Sequence, residues 1–386
     1  MSSAPRVLEG VALPGRPGAW DVTLDGGRVA AVELAAGPAT GRVALPAFCE
    51  PHTHADRAFA PIPRPPLDLI DAIAMADDLR ERSTGAEVEA RAARLFDRAI
   101  EHGAVRLRTH VDHSPMDGGL RDRRAVRAAA DRVADRLAVE IVAFATRELD
   151  PVEPSSRDAL ATALEDGADL LGAFVAVNAD PAASLDALLD LAVDTGARVD
   201  VHLDEHCDPG ASWLEHLADA TIARGLEGRV AAGHCCALSV LDDERAQRVV
   251  GKVAAAGMEI IALPALNLYL QGRGDGTPRT RGLTLVHELV AAGVPVRFGS
   301  DNVRDPFYPY GDADPLEAAW LAGLAAHVDD HAVLLSGVCG GRATVEPGDP
   351  AELVLVPADS VQDALARRPG GRETVLAAGR AAHRAR

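Results

Sequence analysis

Two histidines stand one residue apart in the stretch EPHTHADR, residues 50–57, directly after an apolar run. In an extended strand the side chains of residues i and i+2 point to the same side, so the imidazoles of His52 and His54 would converge on one point. A divalent metal ion is one ligand for such a pair. An isolated pair is more often the polar end of a strand, so the pair alone does not decide the chemistry.

More imidazoles and carboxylates stand at the ends of later apolar runs. The residues concerned are His110, Asp112, His202, Glu205, His234 and Asp301. Any one of them could be a turn cap, a core histidine or a solvent-facing side chain. Chance is a poor explanation for such groups at the same end of five predicted strands, so we predict that they share a site.

The apolar runs alternate with segments of helical periodicity through most of the chain. Eight runs are predicted strands, at residues 43–50, 104–112, 138–146, 169–177, 197–204, 229–235, 258–265 and 294–301. Eight strand–helix units predict a closed (β/α)8 TIM barrel of the α/β class, with helices outside parallel strands. The alternative is an open doubly wound sheet, which would normally have fewer units and a glycine-rich phosphate turn after its first strand.

The two ends of the chain have a different pattern. Short alternating strands there are separated by DGG, GDP and PGG turns. They are predicted to pair into one small β-sandwich domain made of residues 1–45 and 342–386, beside a barrel of residues 46–341. A length of 386 residues also favours one large domain with a small accessory.

The predicted barrel gives the clustered residues a chemical use, because catalytic groups of this fold lie at the carboxyl ends of its strands. Three histidines and one carboxylate would hold one divalent ion, Zn²⁺ or Fe²⁺, and leave a coordination position for water. The ion would lower the pKa of that water from ~15.7 to about 7 and supply hydroxide at neutral pH. The chain is therefore expected to be a hydrolase.

Composition narrows the partners and the type of metal site. The formal charge of −19 disfavours nucleic acid, because affinity for a phosphate backbone comes mostly from Lys and Arg. No long apolar run or signal-peptide pattern occurs and the five cysteines form no CxxC pair, so we expect a cytoplasmic protein without a membrane span. The one lysine, Lys252, lies in a surface-helix pattern, which argues against two metals bridged by a modified lysine. Association into a homo-oligomer is left open.

Several motifs resemble the amidohydrolase superfamily and, within it, the cytosine deaminases. They are EPHTHAD, RTHVD, VHLDE, the GH of the sixth strand, LNLYLQGR with RTRGLT, and GSDNVRDPFYPYG, so the resemblance runs nearly end to end. It implies a single divalent metal ion, without a carboxylated lysine, held by His52, His54, His202 and Asp301.

The same resemblance implies catalytic roles for three residues. Asp301 would accept a proton from the metal-bound water, and Glu205 would carry it to the ring nitrogen and then to the leaving ammonia. His234 would orient the hydroxide and stabilise the developing oxyanion. General acid catalysis of this kind typically contributes ~10²–10⁴-fold.

The predicted substrate pocket departs from the cytosine deaminase pattern. Thr146 stands where bacterial cytosine deaminases have a glutamine, Asn302 replaces an aspartate and Phe307 replaces a tryptophan. With Asn178 after strand four and Gln271 in LNLYLQGR, these residues form the predicted substrate-binding set. A site with changed polar groups rejects the original ring strongly. We therefore expect a small-molecule substrate, a cyclic amidine or aminated nitrogen heterocycle other than cytosine, which is deaminated with release of ammonia.

Two alternatives to deamination remain, namely a different hydrolytic reaction and a protein without enzymatic activity. An enzyme that cleaves an amide or N-alkyl substituent from a triazine or cyclic urea would use the same centre, and ammonia release separates it from a deaminase. A metal-binding barrel without activity would be expected to lack a catalytic group, and none of the predicted groups is missing.

Overall fold

The computed structural model describes residues 5–113, 119–277 and 279–375, and the backbone of residues 381–383. Within these residues, a sheet of eight parallel strands follows the chain order, each strand hydrogen-bonded to the next. With strands numbered along the chain, its members are β5 (Phe48–Thr53), β6 (Ala104–His113), β7 (Ala138–Ala145), β8 (Leu170–Ala173), β9 (Arg198–Leu203), β10 (Val230–His234), β11 (Glu259–Ala262) and β12 (Val296–Phe298). The predicted (β/α)8 barrel is confirmed.

The first and last barrel strands meet at the end where the predicted site lies. The backbone N–H of Asp301 donates to the carbonyl of His52 at 2.9 Å. The buried carboxylate of Glu50 accepts the backbone N–H of Ser300 at 3.0 Å, the Ser300 hydroxyl at 2.6 Å and the backbone N–H of His52 at 3.2 Å. The buried side chain of Glu50 thus joins β5, which carries His52, to the segment between β12 and Asp301.

Helices cover the outside of the barrel and fill the connections between strands. They are α1 (Leu69–Arg82), α2 (Gly85–Glu101), α3 (Arg121–Asp131), α4 (Pro154–Glu165), α5 (Pro181–Thr195), α6 (Leu214–Ala223), α7 (Asp243–Ala255), α8 (Pro264–Leu270), α9 (Val286–Ala291), α10 (Pro315–Ala325), α11 (His331–Val338) and α12 (Val361–Arg367).

Helix α2 illustrates why such segments are helical. Thr84 and Glu87 form a capping box that satisfies backbone N–H groups at its start. Val88, Ala92 and Leu95 recur at helical spacing and are buried, so one face packs against the barrel. Among the described residues, no helix combines the length and the apolar character needed to cross a bilayer.

The two ends of the chain form a second sheet beside the barrel. Its strands, in spatial order, are β15 (Ala381–His383), β14 (Glu373–Val375), β13 (Leu353–Val356), β4 (Val43–Pro46), β1 (Arg6–Leu13), β2 (Arg16–Asp25) and β3 (Arg28–Leu34). Alternate residues of these strands, among them Leu8, Val22, Val29, Leu353 and Val375, make a separate small core. The domain boundaries at residues 46 and 341 stay predictions.

The first predicted strand is wrong in detail. The run at 43–50 is two strands in different sheets: β4 pairs with β13 of the terminal sheet, whereas β5 pairs with β6 of the barrel. The exchange occurs at Ala47, whose N–H donates to the Glu352 carbonyl, while the N–H of Phe48 donates to Gly103. The residues before and after Ala47 are both apolar and buried, so the sequence does not indicate where the chain passes from one sheet to the other.

Candidate metal centre

Four predicted ligands meet at the carboxyl end of the barrel although they are far apart in the sequence. His52 lies in β5 and His202 in β9, whereas His54 and Asp301 follow β5 and β12. The His202 Nε2 atom lies 3.2 Å from the Nε2 of His52 and 3.1 Å from the Nε2 of His54. The Asp301 Oδ1 atom lies 3.2 Å from the Nε2 of His54 and 3.7 Å from that of His52.

These separations fit coordination to one ion. Two nitrogen ligands at tetrahedral positions, each ~2.0–2.1 Å from Zn²⁺, are ~3.3 Å apart. One ligand atom from each of the four residues lies within 4.8 Å of the other three. All four side chains are buried, so nearby solvent does not compete for the ligand atoms. The group therefore suits a single metal ion.

The protonation states also suit metal binding. Burial lowers the pKa of His52, His54 and His202 well below that of free imidazole, and the charge of Arg57 lowers that of His54 further. The three rings are therefore neutral, which is the form that coordinates a metal. Burial raises the pKa of Asp301 well above its usual range, and neither of its oxygens has a hydrogen-bond partner within the described structure. A cation at this point would stabilise the ionised carboxylate.

The predicted catalytic residues His234 and Glu205 lie beside these ligands. The His234 Nε2 atom is 3.5 Å from Glu205 Oε2 and 3.8 Å from Asp301 Oδ2. Burial raises the pKa of Glu205 to about 8, and the charge of Arg57 opposes that rise. Burial lowers the pKa of His234 to about 3, so its imidazole is neutral. The roles of these residues stay predictions.

His110 belongs to a different group. Its ring centroid lies 4.1 Å from that of His52, and its Nε2 lies 3.4 Å from Asp200 Oδ1. The other oxygen of Asp200 accepts a hydrogen bond from Arg108 at 2.8 Å. His52, His110 and Asp200 also meet the geometric criterion for a metal group, so the two groups compete for His52 as candidates.

A cleft of about 380 Å³ adjoins the candidate centre. His202 and Glu205 line it beside helix α1, which contributes apolar side chains such as Ile73. The aromatic residues of the lining are Phe144, Phe174 and Phe307. Its lining combines apolar side chains with polar and charged ones, as a site for a polar small molecule requires.

Thr146 and Phe307, two members of the predicted substrate-binding set, line this cleft. The Thr146 Oγ1 atom is buried and has no hydrogen-bond partner within the described residues. Phe307 lies under the guanidinium of Arg57, whose Cζ is 4.7 Å from the ring centroid. Both side chains could therefore contact a ligand.

The other three members are bonded to the chain itself. Asn178 donates to the Ser184 hydroxyl at 3.0 Å, and Gln271 donates to the backbone carbonyl of Glu205 at 3.1 Å. Asn302 donates to Asp305 at 2.6 Å. The structure thus gives these amides positions that brace the loops around the cleft.

Sequence reasoning missed two polar residues at the site. Arg57 lines the cleft and its Nη1 donates to Asp112 Oδ1 at 3.1 Å. Asn267, fully buried in α8, has its side-chain Nδ2 3.1 Å from His234 Nδ1. The available signal for Arg57 was its place three residues after His54, and for Asn267 its place just after the seventh predicted strand.

Known proteins resemble this chain over nearly its whole length. The model of the amidohydrolase family matches residues 64–379. A pterin deaminase of Rhizobium rhizogenes is 35% identical over 371 residues, which are 91% of this chain and 83% of that protein.

Two solved structures share the fold closely. A 5-methylcytosine deaminase of Klebsiella pneumoniae with 5-fluorocytosine has 28% identity and a TM-score of 0.89, with 98% of this chain and 97% of that chain covered. An N-isopropylammelide isopropylaminohydrolase of Burkholderia multivorans has 28% identity and a TM-score of 0.83, with 99% of each chain covered.

Proposed function

This chain belongs to the amidohydrolase family, and on that premise we propose that it is a metal-dependent aminohydrolase that deaminates an amino-substituted nitrogen heterocycle. The observation that carries the proposal is the convergence of three neutral imidazoles and one carboxylate beside a cleft that a planar ring can enter. The resemblance and the enzyme class predicted from the motifs are confirmed by the family match and the deaminase relative.

His52, His54, His202 and Asp301 would hold one ion, which we propose to be Zn²⁺ or Fe²⁺. Imidazole nitrogens with one carboxylate oxygen suit either ion. When bound, the ion supplies a water whose pKa is lowered to about 7, and hence a nucleophile at neutral pH.

Glu205 is the proposed proton carrier. Its carboxyl lines the cleft, and because burial raises its pKa to about 8, it holds a proton at neutral pH. A protonated carboxyl there can donate to a ring nitrogen, which makes the adjacent amidine carbon easier to attack. Proton transfer by a positioned side chain typically contributes ~10²–10⁴-fold to the rate.

Asp301 is proposed to accept a proton, and His234 is proposed to stabilise the negative charge that develops on oxygen. The Oδ1 atom of Asp301 faces His54 at 3.2 Å, whereas its Oδ2 atom lies 3.8 Å from His234 and is free to accept a proton. A neutral His234 has one N–H, which can donate to the oxygen that becomes negative as the tetrahedral centre forms.

We propose that the substrate is larger than one pyrimidine ring, namely an amino- and oxo-substituted bicyclic ring such as a pterin. The cleft volume of about 380 Å³ lies within the ~300–1,000 Å³ of typical small-molecule sites. Its phenylalanines suit a planar ring. The guanidinium of Arg57 and the hydroxyl of Thr146 belong to residues that line the cleft, and they would bind ring oxygens. The 35% identity to a pterin deaminase supports this choice.

A second candidate reaction removes an alkylamine from a ring. The isopropylaminohydrolase with a TM-score of 0.83 supports it, because that protein shares the fold over 99% of each chain. The same proton carrier would serve, since an alkylamine needs a proton to leave just as ammonia does. The cleft would then have to hold the alkyl group against its apolar wall.

The released product distinguishes these reactions. The full chain, loaded with Zn²⁺ or Fe²⁺, should release ammonia from pterin in preference to 5-methylcytosine, and the Glu205→Gln variant should lose ~10²–10⁴-fold in kcat at unchanged metal content. Glu148→Gln removes a carboxylate that is outside the cleft lining and serves as the matched control. Isopropylamine from N-isopropylammelide without ammonia from the others would favour the second candidate. Fully metal-loaded protein that releases neither product would refute both.

The partner, the location and the oligomeric state are less specific than the proposed reaction. A small heterocycle as the partner follows from the proposed reaction. The absence of nucleic-acid binding and a cytoplasmic location stay predictions from composition, and the oligomeric state stays open.

A further inference from the structure

We propose that Asn267 is a positioning residue that fixes the tautomer of His234. Its side-chain Nδ2 lies 3.1 Å from His234 Nδ1, and with the amide in this orientation its N–H donates to Nδ1 and the neutral ring carries its one proton on Nε2. That is the nitrogen on the side of Glu205 and Asp301. The inference rests on the proposed function for its catalytic meaning, but the hydrogen bond and the tautomer can be tested without any substrate.

The surroundings of Nε2 favour the same tautomer independently. Two oxygens lie on that side of the ring: Asp301 Oδ2 at 3.8 Å, which is a carboxylate oxygen once the ion is bound, and Glu205 Oε2 at 3.5 Å, which accepts a hydrogen bond when the Glu205 proton is on Oε1. An N–H directed towards carboxylate oxygens is attracted, whereas a nitrogen lone pair directed towards them is repelled. The opposite arrangement, with Nδ1–H donating to the Asn267 carbonyl, would place that lone pair there. Both ends of the ring therefore select Nε2–H.

The backbone holds the two partners in place. His234 has φ +68° and the next residue, Cys235, has φ +48°, so the chain leaves β10 through two left-handed residues. The Cys235 N–H donates to the carbonyl of Leu203 at 2.9 Å, which ties this turn to β9. Such a backbone persists only where its surroundings determine it, and here it sets the direction of the imidazole.

Asn267 is fixed from the other side. It is fully buried, and its backbone N–H donates to the carbonyl of Leu263 at 3.0 Å, at the start of α8. Its neighbours Leu266 and Leu270 belong to a buried cluster with Tyr308. The helix therefore holds the Asn267 amide beside the His234 imidazole and keeps it from other hydrogen-bond partners.

The consequence is a hydrogen-bond donor aimed in advance at the reacting atoms. If the proton were on Nδ1, the neutral ring would offer a lone pair to the oxygen that becomes negative and could not stabilise it. Loss of one such donor typically costs ~10²–10³-fold in kcat. Asn267 would thus act through His234, without contact to the substrate.

The Asn267→Asp variant tests this with a nearly isosteric change. A carboxylate in that position accepts a hydrogen bond from Nδ1–H and selects the other tautomer. In zinc-loaded, ¹⁵N-histidine-labelled protein, with the His234 signals assigned by their loss in His234→Gln, we expect an unprotonated Nδ1 and a protonated Nε2 in the native chain. Asn267→Asp should show a protonated Nδ1, unchanged zinc content, a kcat lower by ~10²–10³-fold and a nearly unchanged KM.

Leu266→Ala is the matched control, because it removes packing from the same helix and leaves the amide. It should lower the Tm and leave the His234 signals as they are. A protonated Nδ1 in the native chain would overturn the proposal, as would Asn267→Asp with a native kcat or with lost zinc. If no substrate is found, the proposed function fails while the tautomer assignment still stands or falls on the spectra.

Discussion

Replacement of Asp301 by alanine tests the metal centre most directly, because it removes the only carboxylate of the four-residue group. Zinc binding by four protein ligands is worth ~10–16 kcal/mol, or ~2.5–4 kcal/mol for each ligand. One lost ligand should therefore weaken zinc binding by ~10²–10³-fold. We expect Asp301→Ala to lose both the metal and the activity.

Thermal or denaturant stability with and without zinc provides the assay. Free zinc at 100 times the native Kd stabilises the folded state by about 2.7 kcal/mol, whereas a variant that binds about 100-fold more weakly gains only about 0.4 kcal/mol at the same concentration. Without metal the variant should be at least as stable as the native chain. Burial raises the pKa of Asp301, so ionising it at neutral pH costs free energy that the alanine variant avoids.

Asp200→Asn is the control that separates the two candidate groups around His52. It removes the negative charge that faces Arg108 at 2.8 Å, while the pair of Arg108 with Glu140 at 3.2 Å remains, and should lower stability equally with and without zinc. The zinc-dependent gain should then match that of the native chain. If Asp301→Ala keeps the full gain and Asp200→Asn loses it, the metal lies in the group with His110 and the ligand assignment is wrong.

Three further changes have expected outcomes. Thr146→Gln should keep the metal and alter the substrate preference, measured as the ratio of kcat/KM for two heterocycles, because it changes a polar atom in the cleft. Arg372→Met should cost ~3–5 kcal/mol of unfolding free energy in a denaturant titration, since it breaks a buried pair with Asp314 at 2.6 and 2.8 Å. Glu50→Gln should reduce a pH dependence. Burial raises the Glu50 pKa from 4.5 to about 7, so this side chain makes native stability fall as pH rises through that window. The variant should show a smaller fall in pH-dependent denaturation, because Glu205, whose pKa burial raises to about 8, still contributes to it.

The fold was predictable because its main signals are local. Alternation of apolar runs with helical segments identified the barrel, and the i, i+2 spacing predicted that His52 and His54 share a side. Strand ends were less accurate: the fourth strand was predicted to reach residue 177, but β8 ends at Ala173. Phe174 keeps only a single bridge to His202 beyond it. Apolar residues continue past the end of that ladder and line the cleft. In the sequence, an apolar residue that lines a cleft cannot be distinguished from one that is buried in a sheet.

The contacts that could not be predicted depend on packing between distant elements. Asn178 resembled a substrate contact, yet the turn after β8 brings it to Ser184 in α5. Asn267 meets His234 because β10 and β11 are neighbours and α8 folds back over their ends. Neither contact leaves a periodic pattern, because each is set by the direction of one loop.

The proposed ligands and the cleft wall belong to different parts of the fold, so a substitution in the wall can change the substrate while the reaction is kept. The candidate ligands lie on or directly after β5, β9 and β12, where ladder bonds and the Glu50 carboxylate hold the backbone. The cleft wall is supplied largely by α1 and by the residues that follow β7 and β8. Substitutions in the wall leave the ladder intact, so recognition can change without moving a ligand atom. A change of substrate preference in Thr146→Gln accompanied by loss of metal would contradict this separation.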